Sequence, residues 1–464
     1  MRQAMKRKIF IGFMTALFLL TIFSFAPQNV FAQPKKAKKL VTDGDKFFQQ
    51  KDYQSAIDKY AEAIVIAPNY PNAYFWKGTA HYYLKQYDQA AQDLSTALAQ
   101  GYKQPNEIYK VRAYVYFDKR DYDAALGDMQ QNVLLEPSNV NHVLALGEIY
   151  INKKDWANAL TTYKRAAQLD AQNGNIDYFL AFISNQNGDY SAQGSAAASA
   201  LRKGTKYIGE SHYLYGEAQQ RERNSLEAMQ SYERALNAKP DIYPAYALLS
   251  ELYRGQGRFN DAINITTKGL EIFKNDGSMY INLAWYYSLA DKHDEAVEAG
   301  LKAVENSPDS SLGYTNLCRA YNDIREYTKA IEICNKALSI SPNDGETNFY
   351  LGRSYSFLNR KDTAEKYYAK AVEGLLRYTA DNPEYSDGFY LLGNAYFANG
   401  KRDKAIEAYK RCLDLSPRFA KARYNLGYIY YLENNPTAAR QQYEELKKFD
   451  AVTAEKLKQA MEKK

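Results

Sequence analysis

A chain of 464 residues with 43 tyrosines, 25 glycines and 13 prolines is rich in bulky amphipathic side chains and poor in turn formers, which favours helices over strands. The formal charge is +6, and residues 1–32 hold four positive and no negative groups; the near-neutral remainder has no field to gather nucleic acid. The three cysteines stand at 318, 334 and 412, so none lies near residue 32 to take a lipid.

At the start, Arg2, Lys6, Arg7 and Lys8 precede an apolar run from Ile9 to Phe25, and Val30-Phe31-Ala32 precede Gln33. Charge, apolar run and small residue in that order make a secretory signal pattern. The run has 17 residues, short of the roughly 20 that span a bilayer. The expectation is an exported chain, periplasmic or secreted, cleaved after Ala32, with no integral membrane span once mature. An N-terminal anchor in the inner membrane is the alternative. Residues 33–36 open a basic linker, and Lys35, Lys36, Lys38 and Lys39 read as a solvated start.

From residue 37 a phrase recurs. Small residues stand at Gly44, Gly78, Ala113, Gly147, Ala181, Gly216, Ser250, Ala284, Cys318, Gly352, Gly393 and Gly427, at gaps of 34 or 35 with a single gap of 41. Twelve residues beyond each comes alanine, from Ala56 to Ala439, with Gln193 the one exception. Many units end in proline, such as Pro68, Pro137, Pro308 and Pro417, where a helix stops. Small residues on both helices of a pair let the backbones approach, and a large residue such as Tyr60, Tyr163 or Tyr232 is expected to fill the gap to the next unit.

This phrase resembles the tetratricopeptide repeat, a helix–turn–helix of 34 residues. The resemblance implies an all-α, right-handed superhelical solenoid of about twelve repeats. Repeats one to five occupy 37–208 and repeats six to twelve occupy 209–453, with a capping helix over 454–464. The gap of 41 adds seven residues, about two turns, predicting a lengthened helix within 345–385 that leaves Leu375, Leu376 and Tyr378 on a projecting end. In the fifth repeat Gln193 and Gly194 stand inside the second helix, a weak point since Gly costs roughly 0.5–1 kcal/mol relative to Ala there.

Reactive chemistry is sparse. His81, His142, His212 and His293 fall in four different repeats without metal-ligand spacing. No phosphate loop or nucleophile elbow occurs. No catalytic residue, metal or cofactor is therefore expected. Cys318, Cys334 and Cys412 read as buried structural cysteines, with a Cys318–Cys334 disulfide the open alternative.

The resemblance places function in a concave groove, where bound peptides touch the second, fifth, ninth and twelfth residues of each first helix. The ninth row includes Tyr114, Glu148, Phe182, Glu217, Glu251, Trp285, Arg319, Arg353, Asn394 and Tyr428, acidic and aromatic at its middle and basic further on. Tyr178, Tyr424 and Asn425 share that face. Asn394 and Asn425 match two places of the family's carboxylate clamp, but Tyr390 stands where its first lysine belongs. The implied function is a non-enzymatic scaffold for protein or peptide partners in envelope assembly or secretion, monomeric or weakly self-associating. The alternative is a targeting or regulatory subunit for a separate enzyme, such as a glycosyltransferase or a peptidoglycan enzyme.

Overall fold

The computed structural model describes residues 33–462, with side chains from residue 35. The expected signal segment, residues 1–32, lies outside the described residues. Among the described residues there are 25 helices, α1 to α25 in chain order, and no strand. The fold is an all-α helical repeat solenoid. It divides into two compact units, one ending at Thr162 and the other beginning at Tyr163, a boundary inside α8 (Trp156–Leu169).

Each repeat is a helix hairpin, beginning with α1 (Gln33–Gln49) and α2 (Tyr53–Ile66). The first turn of α1 takes in residues 33–36, set apart as a linker in the sequence reading. The hairpin turn is set by a backbone device. Lys51 has φ of 62°, the left-handed region; its N–H donates to the Phe48 carbonyl, and that of Asp52 to the Phe47 carbonyl, both at 2.9 Å. These bonds satisfy carbonyls that the helix end leaves open. The next side chain then starts the second helix, as Asp52 accepts from the Ser55 N–H at 3.1 Å.

The same left-handed residue recurs seven positions after the small column in every hairpin: Lys85, Arg120, Lys154, Gly188, Arg223, Gly257, Asp291, Arg325, Asn359, Gly400 and Asn434 follow Lys51. Six of the twelve are Lys or Arg. That conformation costs an L-residue roughly 1–2 kcal/mol, and a cation at a helix C-terminus recovers about 0.3–1 kcal/mol.

The core corrects the expected role of the large tyrosines. They do not only fill the gap between repeats; Tyr60, Tyr232, Tyr368 and Tyr409 each lie on the small residue of their own hairpin, 16 positions earlier. A Cβ on Gly44 would stand 2.6 Å from the Tyr60 ring, one on Gly216 2.8 Å from Tyr232, and one on Gly352 2.8 Å from Tyr368. Glycine is thus the space into which the ring fits, and the alanine column, from Ala56 onward, is fully buried beside it.

In the ninth repeat the same two positions are Cys318 on α17 (Ser311–Asp323) and Cys334 on α18 (Tyr327–Ile340). They form a disulfide with Cα atoms 5.3 Å apart, so the alternative reading of this pair holds. The bond occupies the place of a glycine–tyrosine contact. Cys412 is a free, buried thiol.

Gln193 in the fifth repeat is fully buried but satisfied: its Nε2 donates to the Leu214 carbonyl at 2.8 Å, and its Oε1 accepts from Asn185 at 3.1 Å. Neighbouring Gly194 lets α10 (Tyr190–Lys203) approach α11 (Ile208–Arg221), since a Cβ there would lie 3.0 Å from that of Ala218. The seven extra residues lie in α20 (Lys361–Asp381), 21 residues long against 14 for α18. Of its far-end side chains Leu375 is buried, while Leu376 and Tyr378 stay half exposed.

His212, on α11, is held below its ordinary value of 6.5 by burial and by the Arg234 charge, and its Nδ1 has no hydrogen-bond partner. The unfolded chain then protonates first as pH falls through about 6.5, so this residue's contribution to stability is present above that pH and lost below it. Urea midpoints should fall from about pH 7.5 to about pH 5.5, and less steeply in His212→Gln.

Candidate partner-binding groove

The first helix of each hairpin carries the ninth-row residues. In the first unit Tyr114 lies on α5 (Pro105–Asp118) and Glu148 on α7 (Val140–Asn152), both exposed. In the second unit Tyr178 and Phe182 lie on α9 (Gly174–Gln186). Tyr178 stacks on Tyr207 with ring centroids 4.1 Å apart, and burial pushes its phenol up to about 12. Phe182 packs in the cluster around Ala181, Ala197 and Leu214. Glu217, on α11, accepts from Asn185 Nδ2 at 3.2 Å, and burial raises its carboxyl.

The denser part of the groove is built by α13 (Tyr243–Gly255), α15 (Gly277–Leu289), α17, α19 (Gly345–Phe357), α21 (Ser386–Ala398) and α23 (Ala420–Leu432). Trp285 is its centre. The Arg254 guanidinium carbon lies 4.7 Å from the Trp285 ring centroid and that of Arg319 5.7 Å from it. Arg319, only 6% exposed, is also 5.5 Å from the Tyr350 ring. These are cation–π distances.

From Glu251 onward the charges of the row are neutralised pair by pair. Glu251 accepts from Arg254 Nε at 2.8 Å. Arg319 pairs with Glu346, and Arg353 Nη1 donates to Asp323 Oδ1 at 3.0 Å. Arg254 also pairs with Asp387, whose carboxyl burial raises against the opposing pull of that guanidinium. The two asparagines meet each other: Asn425 Nδ2 donates to Asn394 Oδ1 at 2.8 Å, which also accepts from the Tyr409 hydroxyl at 2.6 Å. Tyr424 and Tyr428 stack nearly parallel, 6.3 Å apart.

Around these residues opens a cleft of about 340 Å³, walled by Trp285, Arg319, Phe349, Tyr350, Arg353 and Tyr390. A recess of about 310 Å³ adjoins it through Phe349, Arg353, Asn394 and Asn425, and adds Phe357, Phe397, Tyr428 and Ile429. Rings, guanidinium groups and amides suit this space to binding. Among the described residues no group of three or more His, Cys, Asp or Glu could hold a metal ion, and no helix is long and apolar enough to cross a membrane.

Reading the ninth row alone misses Arg254, Glu346, Asp387 and Lys421. They stand at the twelfth and second positions, and those rows would have shown the opposite charges. No row shows which charge meets which.

A family profile described as the tetratricopeptide repeat matches residues 75–131, 110–175 and 390–452, and a second matches 209–242, 277–310, 313–344 and 346–373. A TPR-repeat profile matches 44–85. The chain is built of tetratricopeptide repeats.

Among relatives, the small glutamine-rich tetratricopeptide repeat-containing protein 2 of Saccharomyces cerevisiae is 31% identical over 135 residues, covering 24% of this chain and 39% of that protein. The Hsp70-Hsp90 organising protein of Plasmodium falciparum is 29% identical over 117 residues, covering 24% of this chain and 21% of that one. The chain thus spans less than half the length of these curated relatives. Among solved structures, yeast Tom70 is similar at 16% identity with a TM-score of 0.39, covering 93% of this chain and 95% of its own. Naa15/Naa10 bound to HypK-THB gives 13% identity and a TM-score of 0.39, covering 90% of this chain and 68% of its own.

Proposed function

We propose that this tetratricopeptide-repeat protein is a non-enzymatic scaffold, exported from a bacterial cytoplasm, that holds extended or helical segments of envelope or secretion-machinery proteins. The observation that carries the reading is the Trp285 cleft, where an indole lies within cation–π distance of two guanidinium groups beside an aromatic recess. Trp, Tyr and Arg are the side chains that most often anchor partners, because they bury much area at little conformational cost. The Cys318–Cys334 bond supports export, since such bonds persist in oxidising compartments. So does the charged and then apolar N-terminal segment.

Crosslinking in the native compartment followed by mass spectrometry tests both halves. Partners recovered with the wild type should fall about tenfold or more with Trp285→Ala, the range of a binding hot spot, at unchanged helical content. Undiminished recovery would remove the cleft from the binding surface. The same spectra report the N-terminus: a mature chain starting at Gln33 is expected, and a chain retaining residues 1–32 in the soluble fraction would sink the export reading.

A further inference from the structure

The densest part of the groove is bridged by the chain itself. Arg254, near the end of α13, reaches Asp387 in the first turn of α21, 133 residues away; both side chains are mostly buried, 8% and 13% exposed. Lys421, in the first turn of α23, makes a second crossing. Its Nζ donates to the Asp291 carboxylate at 3.0 Å and to the Ser288 carbonyl, in the last turn of α15, at 3.2 Å. A third comes from the last helix, α25 (Ala451–Glu462), whose Lys456 Nζ lies 3.8 Å from Asp291.

What joins these limbs is unlike what joins neighbouring repeats. Successive helices share broad backbone contact, whereas α13 and α15 share none of comparable extent with α21 and α23. The space between the limbs is cleft rather than packed core. The Trp285 cleft has Trp285 and Ser288 on one side and Asp387 and Lys421 on the other. Beside it a larger cleft of about 510 Å³ separates Phe259 and Leu289 from Phe419 and Val452. Close-packed apolar surface resists opening; long side chains spanning a cleft do so weakly. An exposed pair such as Lys421–Asp291, with side chains 36% and 52% exposed, contributes little and is screened by salt. A buried pair such as Arg254–Asp387 gains little over its own desolvation.

We infer that these ion pairs form a latch, closing the array from repeats seven and eight onto repeats eleven and twelve, and that opening the latch widens the cleft and makes the half-buried Trp285 more accessible to a partner segment. The closure stands on the contacts alone; its use as a gate rests on the proposed function. Asp291 has a double part, since it is also the left-handed residue of its own hairpin turn (φ 57°). The latch is therefore anchored at a position that the repeat holds in place for a separate reason.

The test uses the full mature chain with spin labels on Glu295→Cys and Glu455→Cys, both exposed, Cys412 being buried. Double electron–electron resonance should give one narrow distance at about 0.01 M salt, where the screening length is about 30 Å, and a second, longer population at about 1 M, where it is about 3 Å. Lys421→Met, which keeps the aliphatic stem, and Asp387→Asn, which keeps the shape, should each show the longer population at low salt. In a Trp76→Phe/Trp156→Phe background, acrylamide quenching of Trp285 should rise with the longer population. A single unchanged distance in every sample would overturn the latch while leaving the partner test above untouched. A longer distance without added quenching would overturn the gate.

Discussion

Tyr409→Ala lowers the stability of the second unit by about 3–5 kcal/mol, the range for deleting a large buried ring. The side chain is 1% exposed, and its ring lies so close to Gly393 that a Cβ there would stand 2.5 Å from it. Its hydroxyl donates to Asn394 at 2.6 Å and accepts from Asn425 at 3.3 Å. Truncation therefore opens a cavity in the hairpin of α21 and α22 (Arg402–Leu415) and loosens two amides at the groove. Urea unfolding followed by circular dichroism measures the loss. A double-mutant cycle with Gly393→Ala separates causes. Alone, Gly393→Ala overpacks the pair and costs about 1–3 kcal/mol; in Tyr409→Ala the same methyl enters empty space and should be neutral or stabilising. Additive effects would mean that ring and glycine do not meet.

Removing the disulfide, by reductant or by Cys318→Ser with Cys334→Ser, lowers stability by about 3 kcal/mol, as expected for a closed loop of about 15 residues. The loop here spans a separation of 16. The midpoint of urea unfolding should shift downward with reductant in the wild type and show no reductant dependence in the double variant. Cys412 is no rescuer, because burial raises its thiol far above the ordinary range and the thiolate is the attacking species. An identical midpoint with and without reductant in the wild type would show that the hairpin does not depend on the bond.

How much of this was legible beforehand differs by feature. The small column and the alanine column are side-chain identities, so they appear directly in the sequence. The left-handed turn was also periodic, but Lys, Arg, Asn, Asp and Gly alternate there, and a shared backbone angle hides behind unlike side chains. The tyrosines were visible but only their contacts with the next repeat were expected, because spacing gives the face of a helix but not every neighbour the ring lies on. Placed over Gly44 and Gly393, each ring turns out to belong to its own hairpin. The cysteine pair was ambiguous for the same reason. Once 16-residue partners are known to touch, Cys318 and Cys334 become partners too.

The sequence by itself determined the repeat, its period, its helical class and the face that bears the aromatic and charged residues, because each depends on residues within one turn or one hairpin of each other. Only the tertiary structure decided that Arg254 meets Asp387 and Lys421 meets Asp291. Those meetings depend on how small inter-repeat rotations accumulate over several units, and no local pattern of side chains encodes that sum.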